Sequence, residues 1–408
     1  MTSELEPERL TDDDALPFAR AVSRHFHEDE SDDDLQAWVD IVREPATAFR
    51  GWVVRDRDQI VANYGIYSMD VSVPGGARMP MAGVTAVGVS QTHRRRGLLS
   101  KMMRAGLDDA ADRGEPVAML FASESAIYGR FGFGVLAPSF NYRIDRGVAF
   151  RDPVDTRVVE PATPEQAHAE WPQILERVRD HRPGCATRSP QWWRAAVVHD
   201  PASWRNGASA RRLIHVPGRG YASYRVKNDW GHDSLPDGEV RLAEVVATDP
   251  EAEAALWQYV CNLDLTARVV AFMRPADDAL PELVVDRLRL RATTASPLYA
   301  RLLDVQAAFE GRSYTSSGRL VLAVADGYRD QSGTWTLEVS PEGASMRRTD
   351  DEPDLELPID ALASVWLGGV RAVQLAAARR LVERRPDAAA DLDRLVAAER
   401  APWTPFEF

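Results

Sequence analysis

The fold is decided by residues 84–103, which read VTAVGVSQTHRRRGLLSKMM. An apolar strand pattern ends in a short polar connection, and an arginine cluster then leads into Gly97 and a helix pattern. In that helix the apolar residues recur every three or four positions, which predicts one buried face. The predicted face consists of Leu99, Met102, Met103, Gly106, Leu107 and Ala110.

The order of strand, arginine cluster, glycine and helix favours a bound anion. The first N–H groups of a helix have no partner within the helix, and about half a positive charge resides there. Gly97 lets the main chain approach a ligand closely, and the neighbouring arginines add charge. An exposed basic helix start is the alternative, but strand, R-x-x-G-x-L and helix in this order are more specific than a basic string. The pattern therefore predicts a site for a pyrophosphate.

A second informative stretch, residues 120–133, reads LFASESAIYGRFGF. A lone tyrosine more often packs in a core with its hydroxyl hydrogen-bonded. Here Tyr128 precedes a glycine and an aromatic residue and follows the arginine cluster at a distance of about thirty residues along the chain. This context favours a catalytic tyrosine over a core one.

Together the two stretches resemble the GNAT acetyltransferases, in which R/Q-x-x-G-x-G/A at a helix start binds the pyrophosphate of coenzyme A. Arg94-x-x-Gly97-x-Leu99 matches this motif, except that Leu99 replaces the usual small last residue. The resemblance implies acetyl-CoA as the cosubstrate and no metal. It also implies that Tyr128 is the general acid that reprotonates the departing thiolate, whereas His93 is interpreted as a loop residue. The implied cofactor-binding residues are Val87, Gly88, Val89, Arg95, Arg96, Gly97, Leu98, Leu99, Ser100, Ser123 and Glu124.

The whole chain, with a tail that reads APWTPFEF at residues 401–408, resembles the enhanced-intracellular-survival (Eis) family. The resemblance implies an α/β (α+β) fold with a GNAT domain in residues 1–152. A second, degenerate GNAT-like domain without cofactor follows in 153–295, and a sterol-carrier-protein-2-like domain in 296–408. In that family the C-terminal carboxylate, here that of Phe408, enters the active site as the general base. A terminal carboxylate has a pKa of about 3.5, so it is a weak base for an ammonium group, and action through water stays open.

The acceptor-binding residues implied by the resemblance are Phe26, Glu28, Trp38 and Glu407. Carboxylates beside aromatic faces suit a cationic amine through charge pairing and cation–π contact. Members of the family acetylate aminoglycosides and other primary amines, and a polyamine is a further candidate. Without the resemblance, Trp38 would be interpreted as a core residue and the acidic run after Glu28 as a solvated loop. The family also forms hexamers.

The remaining elements follow from apolar periodicity. Between residues 158 and 293 a strand–strand–strand–helix–strand order repeats that of the first segment, which predicts a duplicated fold. From residue 296 onward the pattern predicts a helix over 298–309, three strands between 319 and 348, and three further helices.

Composition limits the alternatives. The chain of 408 residues carries a formal net charge of −13, which disfavours nucleic acid and suits cationic partners. From the charge alone, the preferred interpretation is that the acidity keeps the protein soluble. Its two cysteines, the absence of an apolar run of membrane-spanning length and the N-terminal sequence predict a cytoplasmic protein. Two other functions stay open, namely a protein-lysine acetyltransferase and a non-catalytic CoA- or lipid-binding regulatory scaffold.

Overall fold

The computed structural model describes residues 5–44 and 48–408. These residues form two compact units, the first built from residues up to 136, residues 298–399 and Phe408, and the second from 137–297 and 400–407. Residues 1–4 and 45–47, which belong to the predicted first domain, lie outside the described residues. The predicted boundaries of the three domains stay a prediction.

The N-terminal part of the first unit alternates helices and strands. A sheet runs in the order β1-β2-β3-β4-β5, antiparallel except for the parallel pair of β4 and β5. The elements are β1 Glu8–Arg9, α1 Ala15–His25, α2 Asp32–Arg43, β2 Phe49–Asp56, β3 Gln59–Ser72, β4 Arg78–Val89, α3 Leu98–Asp112 and β5 Val117–Phe121.

Strand β4 has two irregularities, the end of its pairing with β5 and a bulge against β3. The paired residues of β4 and β5 end at Gly83 and Met119, so the two strands part beyond that point. Farther along, the register against β3 shifts between Asn63 and Gly65, and Ala86 has a φ of +50°. Such a bulge redirects main-chain groups and bends the strand. The second half of β4 therefore presents its main chain differently from the first half.

Helix α3 packs its apolar face on the sheet, as the periodicity predicts. Met102, Met103 and Leu107 are fully buried. A Cβ atom at Gly106 would lie 2.2 Å from the ring of the buried Tyr64, so glycine permits this close packing. In the first turn Leu98 is the fully buried leucine, and the predicted Leu99 is partly buried against the same core cluster.

The rest of the first unit contains a strand where a helix is predicted. Residues 298–302 belong to β12 and pair antiparallel with β5, and helix α8 covers only Val305–Glu310. Pairing with β5 overrides the helical preference of the local sequence. A second sheet has the order β15-β14-β13-β16-β17. The elements are β12 Thr293–Leu302, α8 Val305–Glu310, β13 Gly318–Ala325, β14 Gly333–Ser340, β15 Gly343–Arg348, β16 Leu355–Pro358, α9 Ile359–Val365, α10 Ala372–Ala377, β17 Val382–Glu383 and α11 Ala388–Leu395.

The loop after β13 packs beside α3 within the first unit. The Tyr328 hydroxyl donates to the carbonyl oxygen of Ser100 at 2.9 Å, and the Tyr328 ring packs edge-on against Phe131. Beneath this contact, the fully buried Arg301 and Asp326 form an ion pair at 2.5 Å. The turn after Tyr128 is therefore packed against Arg301 and Tyr328, which lie more than 150 positions away in sequence.

The second unit repeats the architecture of the first, as the element order predicts. Its sheet has the order β6-β11-β10-β9-β8-β7, and β10 and β11 form a parallel pair joined by helix α6. Residues 402–406 of the tail are buried in this unit, and the Trp403 indole N–H donates to the Met273 carbonyl oxygen at 2.6 Å. The elements are β6 Gly134–Asp145, β7 Glu160–Pro161, α4 Pro164–Arg179, α5 Pro190–Trp193, β8 Arg212–Val216, β9 Gly220–Lys227, β10 Glu239–Ala247, α6 Pro250–Cys261, β11 Arg268–Pro275 and α7 Leu280–Leu283.

Among the described residues, no helix combines the length and the apolar character that a membrane span requires. Over the same residues, no group of three or more His, Cys, Asp or Glu side chains is arranged to hold a metal ion.

Candidate active site

A cavity of about 380 Å³ in the first unit collects most of the predicted cofactor residues. Its walls come from the end of β4, the start of α3 and the turn that carries Tyr128. The predicted residues that line it are Val87, Gly88, Val89, Arg95, Gly97, Leu98, Leu99, Ser100, Glu124 and Tyr128.

Two predicted cofactor residues are not part of the cavity wall. Arg96 is exposed, and its guanidinium donates to the Thr92 carbonyl oxygen at 3.2 Å. Ser123 is exposed just beyond the end of β5. Both lie next in sequence to residues that do line the wall, so their roles in cofactor binding stay predictions.

The strand side of the cavity is the main chain of β4 beyond its bulge. Tyr64 on β3 lies opposite both Ala86 and Val87, since Asn63 pairs with Gly88 and Gly65 pairs with Thr85. A bulge of this kind changes the direction of the N–H groups that follow it. The main chain of residues 87–89, which lines the cavity, is therefore available to a ligand.

The helix side of the cavity is built to hold an anion. Arg95 and Gly97 both have positive φ, at +62° and +78°, and alternation of this kind lets N–H groups converge on a negative charge. A Cβ atom at Gly97 would meet open space, so a ligand can approach the main chain there. Arg95 has no hydrogen bond or ion pair to any other described residue. It is free to pair with a phosphate.

Tyr128 forms the third side. Its ring packs edge-on against Phe133, and the residue is 8% exposed. Burial, with a smaller contribution from Glu124, raises the pKa of the Tyr128 phenol to about 12. Within the described part of the chain no group hydrogen-bonds to its hydroxyl, although the residue lines the cavity. The phenol is therefore a protonated donor without a partner among the described residues.

Phe408 lies where β4 and β5 part. A Cβ atom at Gly83 would lie 3.0 Å from the Phe408 ring, and that ring packs at 62° to Phe121 with centroids 5.6 Å apart. Phe408 is 8% exposed. A larger residue at position 83 would displace the terminal ring, so Gly83 provides the space into which the chain end packs.

The predicted acceptor residues differ in their surroundings. Phe26 and Glu28 lie in the exposed turn after α1, where Phe26 is 42% exposed. Trp38 is half-buried and stacks on Phe18, with its edge toward Phe49. In the second unit, Glu407 keeps exposed surface, while desolvation of its carboxyl raises its pKa above the usual value.

Apart from the motif residue Arg94, the cavity is lined by five residues that were not among the predicted site residues, namely His25, Gln91, His93, Ile127 and Arg130. Arg130 adds a third arginine to the wall and stacks on Phe131 at 4.8 Å. His25, the last residue of α1, faces Gly88 and hydrogen-bonds to Asn63 and Ser90. A basic residue inside the tyrosine motif could have indicated Arg130, whereas no local signal indicates His25.

Comparison with family models divides the chain into three recognisable parts. Residues 6–136 match an acetyltransferase (GNAT) domain, and residues 184–302 match a second acetyltransferase (GNAT) domain. Residues 305–405 match a sterol carrier protein domain. The predicted fold class, with two GNAT folds followed by a sterol-carrier-like domain, is confirmed.

Related proteins are similar in sequence to this chain over nearly its whole length. An uncharacterised N-acetyltransferase of Streptomyces avermitilis is 40% identical over 364 residues, which cover 87% of this chain and 88% of that protein. The N-acetyltransferase Eis of Mycobacterium tuberculosis is 33% identical over 387 residues, which cover 90% of this chain and 92% of that protein.

Solved structures have the same architecture. Eis1 from Mycobacterium abscessus superposes with a TM-score of 0.83 at 29% identity, over 99% of this chain and 100% of that one. A GCN5-related N-acetyltransferase from Kribbella flavida has a TM-score of 0.77 at 21% identity, over 99% and 100% of the two chains, and shows the fold alone.

Proposed function

Because this chain belongs to the Eis family of GNAT N-acetyltransferases, we propose that it moves an acetyl group from acetyl-CoA to primary amines of a cationic small molecule. The acceptor is of the aminoglycoside or polyamine type, and the amine attacks the thioester directly. Acetyl-CoA is the cosubstrate that an acetyltransferase (GNAT) domain implies.

One observation carries this proposal. A single cavity combines the main chain of residues 87–89, an anion-binding helix start and the unpartnered Tyr128 hydroxyl. A thioester carbonyl, a pyrophosphate and a leaving thiolate each need one of these three features. The open space at Gly97 and the unpaired Arg95 fit a phosphate-bearing cosubstrate.

Acetyl-CoA supplies an acetyl group that is activated as a thioester. A main-chain N–H in residues 87–89 stabilises the oxygen on which negative charge develops. The Phe408 carboxylate accepts a proton from the ammonium group of the acceptor, directly or through water, and the resulting free amine attacks the thioester carbon. Tyr128 donates its proton toward the sulfur as the carbon–sulfur bond breaks. The cosubstrate is held by Arg95, Arg96, residues 97–100, Ser123 and Glu124. The acceptor is contacted by Phe26, Glu28, Trp38 and Glu407.

The proposal is tested by thiol release from acetyl-CoA with a panel of aminoglycosides, polyamines and lysine peptides. Turnover with the small polyamines or aminoglycosides, and not with the peptides, is the expected result. Turnover with the peptides alone would instead make the protein a lysine acetyltransferase. Binding of acetyl-CoA without turnover of any amine would contradict the proposed reaction and favour a regulatory scaffold.

The first prediction concerns Arg95. Replacement of Arg95 by Gln is expected to raise the Kd for CoA about tenfold at low salt, because a charge-assisted hydrogen bond to phosphate is lost. The difference should shrink in about 0.5 M salt, which screens exposed charges. Titration calorimetry at two salt concentrations measures both effects. Arg379→Gln is the matched control, since Arg379 is also exposed and has a φ of +60° but lies outside the cavity.

The second prediction concerns pH. The pKa of Tyr128 is raised to about 12, so the phenol keeps its proton where an ordinary tyrosine would begin to lose it. At saturating amine, kcat is therefore expected to stay level from about pH 8 to 10 and to fall only well above that range. An alkaline decline centred near pH 9.5 to 10 in a folded enzyme, with uncatalysed hydrolysis subtracted, would contradict this assignment.

The predicted hexamer follows from family membership, and no contact between copies of the chain bears on it. Light scattering of the purified protein measures the assembly directly. The cytoplasmic location likewise stays a prediction.

A further inference from the structure

A chain of partly buried hydrogen bonds connects helix α1 to the bulge of β4. The Asn63 side chain is fully buried, and its amide N–H donates to the Ala86 carbonyl oxygen at 2.5 Å. The Asn63 amide oxygen faces the His25 Nδ1 atom within hydrogen-bond distance. On the other side of the imidazole, His25 Nε2 lies 2.8 Å from the Ser90 hydroxyl.

These contacts determine the state of His25. Since the Asn63 amide nitrogen is used by Ala86, its oxygen must accept from His25, which places the imidazole proton on Nδ1. The lone pair of Nε2 then accepts from the Ser90 hydroxyl. Burial lowers the pKa of His25 and outweighs the opposing effect of the hydrogen bond to Asn63, so the ring is neutral near pH 7. Both ring nitrogens are occupied, and His25 is not a free base.

The bulge needs this support because its conformation is unfavourable. Ala86 has a φ of +50°, a conformation that glycine adopts easily and that costs other residues about 1 kcal/mol or more. The Asn63 amide N–H holds the Ala86 carbonyl oxygen in that orientation. The peptide group after Ala86 carries the N–H of Val87, so a rotation at Ala86 would also turn that N–H.

His25 also contacts the strand directly. A Cβ atom at Gly88 would lie 2.8 Å from His25 Nδ1, so the imidazole occupies the space that a side chain at position 88 would need. His25 ends α1, and the next residues form the exposed turn with Phe26 and Glu28. His25 therefore connects the start of the turn that carries the proposed acceptor residues to the proposed thioester-binding strand.

We propose that His25 and Asn63 are positioning residues for acetyl transfer, which hold the bulge so that the main-chain N–H groups of residues 87–89 meet the thioester carbonyl. Neither side chain is assigned to the reacting atoms. Asn63 acts through Ala86, and His25 acts through Asn63 and through its contact with Gly88. This inference rests on the proposed function, because it assigns the N–H groups to a thioester.

The test uses full-length variants that remove one hydrogen bond at a time. Asn63→Asp keeps the shape of the side chain but places an oxygen against the Ala86 carbonyl oxygen. His25→Leu removes the donor to Asn63, whereas His25→Asn retains an N–H near the position of Nδ1. Asn141→Asp is the matched control, since Asn141 accepts from the N–H of Met273, another bulged residue with positive φ, through an oxygen that aspartate keeps.

We expect Asn63→Asp and His25→Leu to lower kcat about tenfold through misplaced N–H groups. They should also weaken binding of acetyl-CoA, but not of CoA, about three- to tenfold, since only acetyl-CoA has the carbonyl to be bound. His25→Asn and the control should resemble the wild type in both measurements. The ratio of the two Kd values separates this role from a merely structural one.

An unchanged Kd ratio in both Asn63→Asp and His25→Leu would overturn the inference. Equal weakening of CoA and acetyl-CoA together with a lowered Tm would also overturn it, because that result describes general loosening of the domain. If Asn63→Asp does not fold, the two His25 variants decide the question. If no amine is acetylated by the wild type, the proposed function fails, yet the Kd ratio still tests the positioning role.

Discussion

A single glycine appended after Phe408 is expected to lower kcat about 1,000-fold while acetyl-CoA still binds, because the base is displaced. The extension turns the Phe408 carboxylate into a neutral peptide group and moves the new carboxylate about 3.8 Å farther along the chain. The Phe408 ring is buried between Gly83 and Phe121, so the chain end cannot slide back to compensate. Thiol release and calorimetric titration of acetyl-CoA measure the two quantities.

Two matched variants isolate the carboxylate from the ring. Phe408→Leu keeps the terminal carboxylate in place and loses only aromatic packing, so it is expected to retain kcat within about tenfold. One glycine added at the N-terminus changes the length of the chain equally without touching the site. A synthetic C-terminal amide, which removes the charge without adding a residue, should resemble the extended form.

Two different outcomes would contradict the role of the Phe408 carboxylate as the base. If the extended enzyme keeps kcat within threefold of the wild type, the terminal carboxylate has no part in the reaction. If the extension instead abolishes acetyl-CoA binding, the tail supports the cosubstrate site and is not the base.

The residues on the proposed cosubstrate side of the cavity could be predicted because their sequence signals are local. The helix periodicity after Gly97 and the positive φ that glycine allows there are properties of a few consecutive residues. The spacing from the arginines to Tyr128 corresponds to one helix and one strand that follow each other directly in the chain. For these reasons one short stretch of sequence predicted most of a cavity wall.

The features that escaped prediction depend on contacts between distant residues. Residues 298–302 contain leucine, alanine and arginine, which favour a helix, and they form a strand only through pairing with β5. The bulged residue Ala86 is not a glycine, so the sequence does not indicate its positive φ. The residue that stabilises it, Asn63, lies on another strand. His25 is a polar residue of a helix, and its hydrogen-bond partners lie 38 and 65 residues away in sequence.

Trp38 shows the limit of interpretation from a resemblance. The resemblance assigns this residue to the acceptor pocket, whereas its position on an apolar helix face predicts a core residue. In the structure it is half-buried and packs against Phe18 and Phe49, and its indole hydrogen-bonds to Tyr67. One face of a large aromatic residue can stabilise the core while another meets a ligand, so sequence alone does not separate the two roles.

Replacement of Tyr128 by Phe is expected to lower kcat for acetyl-CoA about 100-fold, within the usual range for loss of a general acid. The change removes one oxygen from a buried ring, and packing against Phe133 is retained. That oxygen has no hydrogen bond to another described residue, so no internal partner is left unsatisfied. The Tm is therefore expected to change little, and Tyr142→Phe in the second unit is the matched control.

The choice of acyl donor distinguishes acid catalysis from a packing effect. A coenzyme A thiolate needs a proton because its conjugate acid is weak, whereas the thiolate of 4-nitrothiophenol is stable without one. With S-acetyl-4-nitrothiophenol as donor, Tyr128→Phe should therefore approach the wild-type rate, since catalysis by an acid matters less for a better leaving group. An equal loss with both donors would mean that the hydroxyl positions the thioester instead of protonating the sulfur. A defect that disappears only for the better leaving group assigns the proton to Tyr128.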